Sequence, residues 1–116
     1  MLKSDEKISN TVKTIVKWLV NKEYDHLEKY SNGIILSSNL IKRAISDYGH
    51  ELSMPPEAAF RSLDVISIEG QKPAKWSVRC ELWTIDEGRS DLTLELTLID
   101  GTSEMLAVEV DDIHVL

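Results

Sequence analysis

The residues best equipped for chemistry sit in the C-terminal half of this 116-residue chain. Near its end, Asp111-Asp112-Ile113-His114 places two metal-ligand types, Asp112 and His114, two positions apart, which is one side of an extended chain. Two donors fall short of a metal site, and a terminal strand with polar residues turned to water accounts for the pattern, so no metal is expected. The stretch Asp86-Glu87-Gly88-Arg89-Ser90-Asp91 lacks the spacing of a calcium loop. It reads instead as a hairpin connection in which Gly88 supplies a positive φ and Arg89 bridges neighbouring carboxylates. Cys80 is the single cysteine and has no adjacent histidine, so it reads as a small buried hydrophobe in a reducing, cytoplasmic setting. His26, His50 and His114 are too dispersed in sequence to define a site. With no G-x-S-x-G, P-loop, H-E-x-x-H or paired C-x-x-C, no catalytic residue and no cofactor is expected.

The chemistry that remains is electrostatic. Residues 1–62 hold nine Lys or Arg and eight Asp or Glu, net +1, whereas residues 63–116 hold four and twelve, net −8; the two sums give −7. Alternation along the C-terminal segments puts Glu81, Asp91, Glu95, Glu109 and Asp111 opposite a row of leucines, together with Arg79 and Trp83. With His114, these form the candidate partner-binding set. A solvated sheet surface accounts for any one of them singly. Like charges on neighbouring strands, however, repel by a few tenths to ~1 kcal/mol per pair, so stability alone does not select so one-signed a face. It reads as a docking surface for a basic protein. Trp83, a large aromatic amid charges, is either an interface anchor or covered by a loop. Nucleic acid and anionic membranes are excluded as main ligands, since phosphates are bound by Lys and Arg.

These side chains need a sheet with one covered face, and the hydrophobic pattern supplies it. From Ser4, taken as an N-cap, Ile8, Val12, Ile15, Val16 and Leu19 follow helical spacing as far as Asn21. A short helix over residues 23–31 presents Tyr24, Leu27 and Tyr30, with Asn32-Gly33 as its left-handed stop. Ser38 caps a third helix carrying Leu40, Ile41, Ala44, Ile45 and Tyr48, ended by Gly49. Pro55-Pro56 starts one more turn. The period then switches from 3.6 to 2: strands are predicted at residues 63–68, 75–84, 91–99 and 104–110, the last extended by 113–116. Trp76, Val78, Cys80 and Leu82 share one side with Leu92, Leu94, Leu96 and Leu98, and Asp100-Gly101 is a hairpin signal.

Helices first and a meander afterwards specify one α+β domain over residues 1–116, mainly helical to 62 and antiparallel sheet beyond. Its N-terminal helices are expected to pack on a curved four-stranded sheet, as a cystatin-like or NTF2-like cone. The longest apolar run is four residues, 105–108, against roughly 20 for a bilayer span, so no membrane helix is expected. An acidic start, Met1-Leu2-Lys3-Ser4-Asp5-Glu6, speaks against export.

The segments Leu82-Trp83-Thr84, Glu87-Gly88-Arg89-Ser90-Asp91-Leu92-Thr93-Leu94-Glu95-Leu96 and Asp111-Asp112-Ile113-His114-Val115-Leu116 resemble a family of small uncharacterised bacterial proteins. Met54-Pro55-Pro56, Ala59-Phe60 and Leu63-Asp64-Val65 add to the likeness, which covers the C-terminal half and implies no activity or catalytic residues. By type, a small acidic α+β chain without catalytic motifs is similar to the immunity proteins that occlude nuclease toxins. That similarity implies a non-enzymatic inhibitor of a basic partner. Two alternatives stand beside it: an NTF2-like enzyme or small-molecule binder with a pocket between helices and sheet, and a homodimer built on a sheet surface or edge.

Overall fold

The computed structural model describes residues 3–31, 36–101 and 103–115. In chain order it has α1 (Ser4–Val20), α2 (Tyr24–Ser31), α3 (Ser38–Tyr48), β1 (Leu52–Ser53), α4 (Glu57–Arg61), β2 (Asp64–Ile68), β3 (Lys75–Thr84), β4 (Gly88–Ile99) and β5 (Ala107–Val115). The expected α+β class, helices N-terminal to a curved antiparallel sheet, is the fold, and the sheet forms a half-barrel.

The helices form where the apolar stripe predicts, but their caps are displaced by one residue. Lys3 is the extended residue before α1 and makes no side-chain cap; Ser4 is already helical, and Asp5 and Glu6 set negative charge against the positive helix end instead. At α3 it is Ser37, not Ser38, whose hydroxyl accepts from the Leu40 N–H at 3.3 Å. Gly49 ends that helix as expected, in the left-handed region at φ 84°. The stop expected at Asn32-Gly33 lies outside the described residues.

The sheet runs β1-β3-β4-β5, and β2 shares the β1 edge of β3, so five strands replace the four expected. β1 pairs Leu52 with Thr84 and Ser53 with Trp83, while β2 pairs its five residues with Lys75 through Arg79. Between them the chain leaves the edge of β3 to form α4. β4 begins three residues before the predicted start, because Ile85-Asp86-Glu87 make the turn and Gly88, at φ 72°, already pairs with Thr84. β5 begins three residues after the predicted 104, and Asp100-Gly101 does not make a tight hairpin. Leu106 explains this: its side chain is buried, its N–H donates to the Thr11 hydroxyl at 3.0 Å, and its carbonyl accepts from the Tyr30 hydroxyl. The helices thus hold the connection open.

Val12, Ile15, Val16 and Leu19 of α1, Leu27 of α2 and Ile41 of α3 are buried in one cluster with Val78, Cys80, Leu82, Leu92, Leu94, Leu96, Leu98, Val108, Val110 and Ile113 of the sheet. Each such Val, Leu or Ile contributes about 1.5–3 kcal/mol by leaving water. On the opposite side of β3–β5, the segment around α4, whose Phe60 joins this cluster, meets the sheet near the β1 and β2 edge.

Candidate functional site

Antiparallel register sets the uncovered face in rows. Asp64 of β2, Arg79 of β3, Glu95 of β4 and Asp112 of β5 form one row across four strands. Glu81, Thr93 and His114 form the next. Arg79 Nε donates to Glu95 Oε1 at 2.9 Å. Arg89 reaches Glu81 Oε2 at 3.4 Å across the strands, not the loop carboxylates it was expected to bridge. His114 closes the group: its Nδ1 lies 2.7 Å from Asp112 Oδ2 and its Nε2 4.0 Å from Glu95 Oε1.

A β-bulge builds the β5 side of this face. Glu95 and Leu96 are consecutive in β4, yet they pair with Asp112 and Val110, which leaves Asp111 as an extra residue. Bulges of this kind turn a strand and re-aim side chains. Val110 and Ile113 both stay in the core, three positions apart, while Asp111 and Asp112 intervene. Thr97, opposite Glu109, donates its hydroxyl to Asp111 Oδ2 at 2.7 Å. Even so, the Asp111 carboxyl is pushed above its ordinary range, first by burial and then by the charges of Glu109, Glu95 and Asp112, against the opposing effect of the Thr97 bond. Here the acidic residues named from sequence do converge.

Trp83 occupies the other end. It is half-buried, paired with Ser53 and Arg89, with its ring against Gly88. With Pro56, Ala58, Ala59 and Leu63 it lines a cleft of about 380 Å³ that Asp64, Arg79, Glu81, Arg89 and Thr93 also enter. So the segment around α4 covers Trp83 in part. Thr93, which alternation puts on the same face as Glu95, is buried. Asp91 is exposed, but it sits where β4 has two residues more than β3 between the Glu81–Thr93 and Trp83–Arg89 pairs, and no ion pair joins it to the group.

On the covered side, Cys80 is buried and its thiol is pushed up to about 12, chiefly by desolvation, which leaves it inert as a nucleophile. The buried hydroxyls of Thr11 and Ser90 are engaged with backbone groups, Ser90 donating to the Leu82 carbonyl at 2.6 Å.

Of the residues named from sequence, Arg79, Glu81, Glu95, Glu109, Asp111 and His114 come together, Trp83 borders them and Asp91 stands apart. Sequence reasoning missed the contributions of Asp64 and Arg89, which strand parity could have supplied, and the meeting of Glu95 with Asp112, which rests on the bulge. No helix among the described residues is long and apolar enough to cross a membrane. No curated protein and no solved structure matches the chain. Residues 16–116 match the model of a family described as a domain of unknown function (DUF7668), and the chain belongs to that family.

Proposed function

We propose that this member of the family is a non-enzymatic, acidic protein-binding module that docks a basic partner on the uncovered face of β3–β5, as an immunity protein occludes a nuclease-type toxin. One observation carries the reading: Asp64, Glu81, Glu95, Glu109, Asp111 and Asp112, six carboxylates, share a face on which the described residues set Lys75, Arg79, Arg89 and His114 against them. Such a face costs the free chain stability and returns it on meeting positive charge, which speeds encounter and rejects wrong partners. Trp83 and its cleft supply an aromatic anchor beside the charges. An enzyme pocket between helices and sheet finds no support, because that space is filled by side chains such as Ile15, Leu94, Leu96 and Leu98.

The test captures partners from the source cell with the full chain and follows binding of the captured basic protein in real time at low and high salt. Changing Glu81, Glu95 and Glu109 together to Lys is expected to slow association about tenfold or more and to abolish its salt dependence. Unchanged association overturns the proposal. A second reading, self-association, is favoured by β2: all five of its residues are exposed at the sheet edge, including Ile66 at 61%. Sedimentation of the wild-type chain and of Ile66→Lys separates the two, since only a β2-mediated dimer dissociates on that change.

A further inference from the structure

We propose that Glu95, Asp112 and His114 form a binding site for a divalent transition-metal ion of the Zn²⁺ class. From sequence, Asp112 and His114 were two donors on a strand with no third. The β4–β5 register supplies Glu95 directly opposite Asp112, and one ligand atom from each of the three residues lies within 4.8 Å of the others.

The hydrogen bonding fixes which atoms face the ion. An ionised Asp112 carboxylate only accepts, so at 2.7 Å the His114 Nδ1 carries the hydrogen and donates it. In the neutral ring the lone pair then lies on Nε2, the nitrogen that faces Glu95 Oε1 at 4.0 Å. Two donors each about 2.0–2.2 Å from one ion are separated by roughly 3.4 Å at a tetrahedral angle and 4.2 Å in line. The observed gap falls within that span. An imidazole held through Nδ1–H by a carboxylate, with Nε2 presented outward, is the usual arrangement of a metal-ligating histidine. Asp112 thus serves as the positioning carboxylate; in the other tautomer, with the ring hydrogen on Nε2, the Nδ1 lone pair and Asp112 lie side by side and ligate together with Glu95.

Charge favours a dication here. Glu109 and Asp111 add to Glu95 and Asp112, and Arg79 is the one permanent cation paired into the group. Its bond is to Glu95 Oε1, the oxygen that also faces His114, and takes one of the lone-pair sites of that carboxylate, leaving the others for an ion. Imidazole with carboxylate donors and no thiolate suits Zn²⁺, Co²⁺, Ni²⁺ or Mn²⁺, whereas Mg²⁺ and Ca²⁺ take oxygen alone. The site does not rest on the docking proposal.

The experiment titrates the full chain, freed of metal by a chelator, with Zn²⁺ by calorimetry and with Co²⁺ by visible absorption. One site is expected, with Zn²⁺ displacing Co²⁺ and excess Mg²⁺ displacing neither. His114→Ala and Glu95→Gln should each weaken Zn²⁺ binding about tenfold or more, and Asp112→Asn about 10- to 100-fold. His50→Ala, at an exposed ring beside Asp86, serves as the control and should leave binding unchanged. Circular dichroism and urea midpoints of each variant confirm folding. Absence of binding, or a titration that His114→Ala does not alter, overturns the proposal whatever happens with a basic partner.

Discussion

Arg79→Met tests whether the uncovered face is held under electrostatic stress. In the wild type Arg79 stands between Asp64 and Glu95 in the strand register, its Nε 2.9 Å from the Glu95 carboxylate. Coulomb's law in bulk water gives about 1.4 kcal/mol at that distance. Arg79 is half exposed, and the entropy of holding two exposed side chains lowers such pairs to a few tenths to ~1 kcal/mol. Methionine keeps the aliphatic stem and removes the charge. Glu95 then faces Glu109, Asp111 and Asp112 uncompensated, adding a few tenths of a kcal/mol for each like-charge neighbour. The total loss is about 1–2 kcal/mol at low salt. With a urea slope of about 1–2 kcal/mol per molar, the midpoint falls by roughly 0.5–2 M. Because the Debye length drops from about 30 Å at 0.01 M salt to 3 Å at 1 M, most of this loss should vanish in 1 M NaCl. Adding Glu95→Gln to Arg79→Met should restore stability at low salt. A penalty that is equal at both salt concentrations, or that Glu95→Gln fails to relieve, would refute the reasoning and reassign Arg79 to packing.

Thr11→Val removes the hydroxyl that accepts from the Leu106 N–H, at a buried position, and should cost about 1–3 kcal/mol. For a chain of this length that lowers Tm by roughly 4–12 °C in calorimetry, whereas Thr11→Ser should retain most of the stability. Asp111→Asn should stabilise the chain at neutral pH, since its carboxyl is raised in the folded state and still finds the Thr97 hydroxyl as an amide oxygen. A raised carboxyl binds its proton more tightly when folded, so its relative stability contribution is full below the unfolded value of 3.8 and is lost as pH rises through the folded value. The gain from Asn should therefore shrink as urea midpoints are measured at progressively more acidic pH.

What was legible in the sequence is what alternation and helical spacing encode. Leu92, Leu94, Leu96 and Leu98 announce a half-covered strand, and β3 spans the residues its pattern predicts because Trp76, Val78, Cys80 and Leu82 keep strict parity. The acidic face followed from the same parity on the opposite side. Illegible were features set by tertiary contacts. Leu106 is drawn into the core and bonded to Thr11, which overrides the Asp100-Gly101 turn signal. β1, two residues long, is defined only by its partners on β3. The pairing of Glu95 with Asp112 depends on where the ladder slips, and a run of two aspartates carries no hydrophobic mark to locate the slip.

Asp111 is the residue the core could do without. Excise it, and Val110, Asp112, Ile113 and His114 would alternate in simple phase along β5, with both hydrophobes still inward. The chain therefore carries an insertion that the barrel wall does not require, and the surplus carboxylate goes to the face opposite the core, half-buried against Thr97. A one-residue deletion would leave a plainer, calmer surface on the same scaffold, which makes that single codon the natural place to uncouple what this domain meets from how it folds.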